Sequence, residues 1–474
     1  MKSHLKIFSV LLLALSACRQ SPDPEIAFSR IKNEIGSGNL KSAVWIADSI
    51  KGTAEPGSRY QLKADSLSEI AKRISIDYSL TSSDLKARIE KLGGQVSDGQ
   101  LEEWDKKGWL DSRIIEGQKR YFNRSASNLM LLKVFHEKVV GKPGKDELFR
   151  LEHTSNILKN SHIQGDTVNP VTVSIKYTIT VGKNAVPEGE IIRCWLPLPR
   201  SDQPRQKDVK LTGTSNSNYT EAPDSAVHKT IYMEEKQVKG QETSFTISYT
   251  YKTYGQHFIQ DSIAAGQYEK SSELYRRHTA EQLPHINFSP RIRNLADSIC
   301  GAETSPVRNV RKIWLWFKEN IPWTGAPEYS IINDIAGFTC KRMTGDCGMQ
   351  TFLFMSMLRY KGIPVRWQSG WMIPPDAENL HDWCEVYYEG TGWVPVDPSY
   401  DLQDSPDQQL REFYLSGLDS YRLIVNTGVA GQLYPAKKYL RSEPFDFQRG
   451  EVEWKNGNLY FDKWDYHIDI QYLK

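Results

Sequence analysis

The sequence predicts a multidomain chain with an α-helical N-terminal region, then a β-sandwich, then a mixed α+β domain. Three observations carry this reading. Near the start, Ile31 and Ile35, then Leu40, Ala43, Val44 and Ala47, recur at helical spacing. From residue 171, and again from 245, apolar residues alternate strictly with mostly polar ones, the mark of strands with one buried face. From about residue 285 the pattern turns mixed, with Val310, Ile313, Trp314 and Phe317 on one helical face. At 474 residues the chain has room for about three such units.

Residues 1–17 (MKSHLKIFSVLLLALSA) have a secretory layout. Lys2 and Lys6 make a basic start, and Ile7 to Leu15 is an apolar stretch too short to span a bilayer. Cys18 follows Leu-Ser-Ala, and this junction resembles the bacterial lipobox, whose cysteine is acylated and becomes the mature N-terminus. The resemblance implies a lipidated tether over 18–24 and a membrane held through acyl chains. It places the protein in the cell envelope, on the bacterial outer membrane. A cleaved leader beside an incidental cysteine is the plainer alternative.

The chain holds 60 Lys and Arg against 58 Asp and Glu. Removing Lys2 and Lys6 with the leader balances the two signs, which argues against a nucleic-acid partner. A mean hydropathy of -0.53 and 25% charged residues fit a soluble body tethered at one end. Beyond Cys18 come Cys194, Cys300, Cys340, Cys347 and Cys384, with no CxxC pair and no zinc spacing. No metal site and no cofactor are therefore expected. An odd number in an oxidising compartment leaves a thiol unpaired, and Cys347 is the natural candidate. Cys340 and Cys384 are candidate disulfide partners whose geometry the sequence does not fix.

The helical region covers 25–160. Two helices around Gly36-Ser37-Gly38-Asn39 look like one tetratricopeptide-type hairpin, and a single unit builds no solenoid. Short helices follow over 84–92 and 98–107, the second stopped by Gly108. LDSRIIEGQKRYF (110–122) reads as a hairpin turning at Glu116-Gly117. Helices followed by a hairpin are similar to a winged helix, but without a basic surface the role is structural. A long helix from about 125 to 141 closes the region, and 158–170 is a polar linker. Val171, Val173, Ile175, Tyr177, Ile179 and Val181, with Phe245, Ile247, Tyr249 and Tyr251, then define a β-sandwich over 168–255. The mixed domain spans 285–420, and 421–474 is a β extension with a hairpin turning at Asn456-Gly457.

Chemistry concentrates in the mixed domain. Cys347 follows Thr344-Gly345-Asp346 and opens an apolar stretch from Met349 to Leu358 that stops at Gly362-Ile363-Pro364. A thiol at a helix N-terminus meets the positive end of the dipole, which favours the thiolate. The unpaired N–H groups there can also stabilise an oxyanion. A lone cysteine is more often an inert buried thiol. What changes the balance is that His381 opens one strand and Asp397 closes the next, across a turn at Glu389 to Gly392. Hairpin pairing about that turn puts His381 opposite position 399 and close beside Asp397, where a carboxylate can orient an imidazole.

The pattern C-G…L-R-x-x-G-I-P-V-R…H-x-W-x-E-V-Y…G-x-G-W-x-x-x-D-P, over about 345–400, resembles the transglutaminase-like superfamily of papain-type fold. The resemblance implies Cys347 as nucleophile, His381 as general base then acid, and Asp397 as the residue that orients His381. Bacterial members often join a similar β-sandwich to this core. The oxyanion donor that members recruit from upstream is Trp323 or Tyr329, and the sequence does not choose. Trp383 shares the sheet face of His381 and either walls the acyl site or serves the core; Glu385, next on that face, supports the core. The implied reaction forms a thioester from an amide of a protein or peptide substrate. Water as acceptor makes a peptidase or amidase, and a primary amine makes a cross-linking transglutaminase. Excess water in the envelope favours hydrolysis. Members that lose the triad serve as binding scaffolds, which the intact Cys347, His381 and Asp397 argue against.

Overall fold

The structure is a computed structural model that describes residues 24–138 and 142–473. The leader and Cys18 lie outside the described residues. Among those residues no helix is long and apolar enough to cross a membrane.

The N-terminal region begins with α1 (Pro24–Gly36), α2 (Leu40–Thr53) and α3 (Arg59–Asp77). Phe28, Ile31, Leu40, Ala43, Ile46 and Ala47 pack with Ala64, Leu67, Ala71 and Ile74 in one core. The expected helical pair thus gains a third member, α3, whose buried Ala64, Leu67, Ala71 and Ile74 also recur at helical spacing. Next come α4 (Ser82–Lys91) and α5 (Asp98–Lys106), each opened by a capping box, Thr81 with Asp84 and Ser97 with Gln100. Strands β1 (Ser112–Ile115) and β2 (Gln118–Tyr121) form the hairpin, turning at Glu116-Gly117. Helix α6 (Ser125–His136) is shorter than the sequence suggests, and residues 139–141 lie outside the described residues. A further helix, α7 (Lys145–Asn160), takes in the start of the expected linker.

The β-rich part comprises β3 (Thr167–Val181), β4 (Ile191–Pro197), β5 (Gln206–Thr214), β6 (Tyr219–Glu221), β7 (Thr230–Lys236) and β8 (Thr243–His257). Strands β3 and β8 pair antiparallel, with Ile175 opposite Tyr249 and Ile179 opposite Phe245, and every apolar residue of their alternation from 173 on is buried. Then follow α8 (Glu273–Thr279), α9 (Pro290–Cys300), α10 (Pro306–Asn320), α11 (Ile335–Arg342), α12 (Cys347–Tyr360), β9 (Val365–Met372), β10 (Asn379–Tyr388), β11 (Gly392–Val396), α13 (Gln408–Arg411), β12 (Gly417–Leu418) and β13 (Arg422–Asn426). The chain closes with β14 (Glu451–Trp454), β15 (Gly457–Leu459) and β16 (Trp464–Leu473).

These strands make three larger sheets. One holds β12-β8-β3-β16, with β5 also on β8; the second is β15-β14-β4-β7-β6; the third is β11-β10-β9-β13. Val173, Ile175 and Phe245 of the first sheet and Cys194, Met233 and Val452 of the second share one apolar core. Strands from beyond residue 450 therefore belong to the same sheets as those from 167–257. Trp371 and Leu423 of the third sheet join that core as well. The third sheet also carries α12, whose residues 347–359 are all buried, as a central helix requires. Phe352 of α12 tilts against Trp367 of β9 with ring centroids 4.7 Å apart.

Candidate active site

Helix α12 starts at Cys347 because Asp346 caps it, accepting the Met349 N–H at 2.9 Å. The thiol opens onto a cavity of about 190 Å³ whose lining includes Trp323, Tyr329, Asp346, Asp382 and Asp446. Both upstream residues singled out in the sequence, Trp323 and Tyr329, thus lie in the cavity of Cys347. The Tyr329 hydroxyl donates to Asp346 Oδ1 at 2.6 Å. Burial pushes the Asp346 carboxyl up to about 6 despite that bond. Gly348 is a packing requirement: a Cβ there would meet the Tyr329 hydroxyl at 2.1 Å and Asp382 Oδ2 at 2.6 Å.

The hairpin register is the one the sequence indicates. Cys384 pairs with Val396, so Trp383 lies opposite Asp397 and His381 sits two residues further along β10. His381 Nε2 meets Asp397 Oδ2 at 2.6 Å. Arg422 Nη1 donates to the same oxygen at 3.2 Å, and its guanidinium also binds Asp419. Burial alone would raise Asp397, but His381 and Arg422 outweigh it and hold the carboxyl well below the usual range. Burial lowers the His381 pKa, and Asp397 only partly restores it. Trp383 stacks on His381 with centroids 5.9 Å apart, is fully buried, and donates its indole N–H to Gln368. It supports the sheet core rather than the wall of the Cys347 cavity. Glu385 does likewise, bound by Arg366 at 2.7 Å and near Arg205 at 3.8 Å.

Successive strand residues point to opposite faces. Asp382 therefore turns toward α12 while His381 turns away with Asp397 and Trp383. The Cys347 thiol donates to Asp382 Oδ2 at 3.4 Å, and among the described residues no hydrogen bond joins Cys347 to His381. Burial, then Asp382 and Asp346, push the thiol pKa well up, against the lowering expected from the helix dipole. Burial and the neighbouring Asp446 likewise push Asp382 up. Gln448 ties this corner together, donating to Asp382 Oδ1 at 2.9 Å and to the His381 carbonyl at 3.0 Å. Ser369 donates to Asp446 Oδ1 at 2.7 Å. The sequence reading passed over Asp382, Asp446 and Gln448. Alternation would have sent Asp382 to the face opposite His381, whereas Asp446 and Gln448 reach the site only through tertiary folding.

All five described cysteines are free. The candidate pairing of Cys340 with Cys384 is not formed: Cys340 sits on α11, and the Cys384 thiol faces the Val396 carbonyl at 3.5 Å. Among the described residues no group of three or more His, Cys, Asp or Glu side chains is arranged to hold a metal ion.

Residues 293–398 match the core of the transglutaminase-like superfamily, a span that holds Cys347, His381 and Asp397. This segment belongs to that superfamily. The chain is 28% identical over 164 residues to a protein-glutamine gamma-glutamyltransferase of Pseudomonas aeruginosa, covering 32% of this chain and 24% of that one. It is 22% identical over 223 residues to an uncharacterized protein of Haemophilus influenzae, covering 39% of this chain and 58% of the other. The chain thus spans 24% and 58% of the lengths of these two relatives. Among solved structures it is similar to one described as a candidate cysteine protease from Cytophaga hutchinsonii, with 13% identity, 65% and 93% of the two chains covered and a TM-score of 0.44. It is also similar to the periplasmic domain of TgpA from Pseudomonas aeruginosa, with 16% identity, 54% and 97% covered and a TM-score of 0.26.

Proposed function

We propose that the protein is a lipid-anchored envelope enzyme that cleaves amide bonds of peptides or proteins through a thioester on Cys347. The observation that carries this is a cysteine at the start of a buried helix, opening onto a cavity, within a superfamily core that also holds the His381–Asp397 pair at 2.6 Å. Cys347 Sγ attacks the carbonyl carbon after passing its proton to His381. The C–N bond then breaks, and the imidazolium returns that proton to the departing amine. Water, deprotonated by His381, next cleaves the thioester and releases a carboxylic acid. Asp397 keeps the imidazole oriented and stabilises its cation. With the Tyr329 proton committed to Asp346, the indole N–H of Trp323 is the upstream donor to the oxyanion.

In the described conformation the thiol is held by Asp382, and His381 faces away from it. The reaction therefore begins with release of that contact and approach of the imidazole to Sγ. The 3.4 Å contact itself favours a second reading of the first proton transfer, in which Asp382 receives the thiol proton. Acceptor choice also has two readings. Water is the abundant acceptor in the envelope, while the name of the Pseudomonas aeruginosa relative favours an amine. The junction at Cys18 supports the anchor, and Cys18→Ser is expected to release the protein from membranes.

The test is single-turnover acylation by an activated thioester, followed by mass spectrometry with and without added primary amine. Cys347→Ala and His381→Ala are expected to lose on the order of 10³-fold or more, and Asp397→Asn less. Wild-type turnover by folded Cys347→Ala would refute the nucleophile. Loss in Asp382→Asn equal to that in His381→Ala would move the base to Asp382. A non-catalytic scaffold would show no acylation of wild type by any amide or thioester.

A further inference from the structure

We propose that Arg124 is the anion-binding residue of the Cys347 cavity and that the substrate is an amide carrying a carboxylate next to the scissile bond. The proposal rests on the acyl-transfer reading of this site and names its substrate class. Arg124 belongs to the N-terminal helical region, at the residue before α6, yet it lines the same cavity as Cys347 and Trp323.

Its place is built rather than incidental. The guanidinium lies across Gly325, where an added Cβ would come within 2.6 Å of Cζ and 2.7 Å of Nε. Any other residue at 325 would displace it. One turn further along α6, Asn128 grips the same glycine from both sides. It donates to the Gly325 carbonyl at 2.8 Å and accepts the Gly325 N–H at 2.9 Å. Gly325 belongs to the segment that runs from Trp323 to Glu328 and walls the cavity. The helical region thus holds this wall and sets a guanidinium over it.

The charges around the cavity leave Arg124 as the group open to a ligand. Among the described residues its side chain has no hydrogen bond and no ion pair. The other guanidinium of the lining, Arg449, is already bound to Glu328 at 3.0 Å and to Glu443. Those two carboxylates are therefore spent. Asp346, on which Arg124 acts through space, takes the Tyr329 hydroxyl and the Met349 N–H. Asp382 and Asp446 are engaged with Cys347, Gln448 and Ser369. What faces an incoming peptide is a planar, always charged fork that matches a carboxylate in two hydrogen bonds. At about 190 Å³ the cavity is smaller than the roughly 300–1,000 Å³ of small-molecule sites, and suits one residue of a peptide. That residue brings its negative charge either as a terminal α-carboxylate or as an acidic side chain.

Two matched pairs of peptides separate these sources. Acetyl-trialanine is compared as free acid and carboxamide, and acetyl-Ala-Glu-Ala-amide is compared with its Gln counterpart. With the full chain, one or both acidic members are expected to exceed their neutral partners by roughly 10- to 100-fold in kcat/KM. In Arg124→Ala and Arg124→Gln the ratio collapses to about one, chiefly through KM, and Arg124→Lys keeps part of it. Binding of the same peptides to Cys347→Ala protein, by calorimetry, reports on Arg124 even if no amide is turned over. An acid preference in binding that Arg124→Ala abolishes supports the proposal though the acyl-transfer reading has failed. Equal treatment of acid and neutral members by wild type, or a preference that survives in Arg124→Ala, overturns it.

Discussion

At Gly348 the site has no room for a single further methyl group, since the hydroxyl of Tyr329 and the carboxyl of Asp382 both crowd the missing side chain. Gly348→Ala is therefore expected to cost about 1–3 kcal/mol in urea unfolding and to change the rate at which Cys347 is alkylated. Tyr329→Phe in the same chain should recover part of the stability by removing the nearer atom. Arg422 is a different kind of constraint. It is a buried cation between Asp397 and Asp419, and Arg422→Gln strands two carboxylates in the core. The expected loss is about 3–5 kcal/mol at pH 7. The sign of the pH effect follows from Asp397, whose pKa is depressed in the folded state. Its stabilisation is full above the unfolded carboxylate pKa of about 4 and is lost only as pH falls through the lower folded value. Without Arg422 that folded value rises, so acid unfolding should begin at a higher pH, which a titration followed by near-UV circular dichroism will show.

Between elements, the contact of α3 with the wall of the cavity carries its own pH signature. Asp77, at the end of α3, accepts the Glu328 N–H at 2.8 Å, and burial, with nearby Glu328, pushes its carboxyl up to about 7. Here the folded state holds the proton more tightly than the unfolded chain. Stability from this group is greatest below about pH 4 and declines as pH rises from there to about 7. Asp77→Asn, which keeps an acceptor for Glu328, should flatten that decline and raise Tm at pH 8 by on the order of 2–4 °C, with a smaller gain at pH 5. Much at this scale was legible beforehand. Strict alternation gave β3 and β8, and counting across one turn brought His381 to Asp397 because a hairpin register is local. The contacts of Asp382 with Cys347 on one side and Asp446 on the other were not legible, because they depend on which sheet face α12 covers and on a loop beyond β13. Helix α3 was missed although Ala64, Leu67, Ala71 and Ile74 recur at helical spacing, its buried side being interrupted by Asp65, Arg73 and Asp77.

Across the whole molecule, the β-rich part brackets the transglutaminase-like core in sequence. Strand β16 pairs with β3 from Trp464 opposite Val181 to Leu473 opposite Thr172, and β14 pairs with β4. A chain lacking 464–473 would leave the edge of β3 bare, and bare edges recruit other chains. Such a truncation is expected to aggregate on warming, as light scattering will register, well before the full chain unfolds. The same bracketing sets a schedule. At about 5–20 residues per second, β3 waits on the order of tens of seconds after its own synthesis for β16 to be made. The wall formed by Asp446, Gln448 and Arg449 is likewise translated well after Cys347. A half-made chain therefore carries Cys347 without a finished cavity around it, and its thiol meets its final surroundings only once the segment beyond β13 has been made.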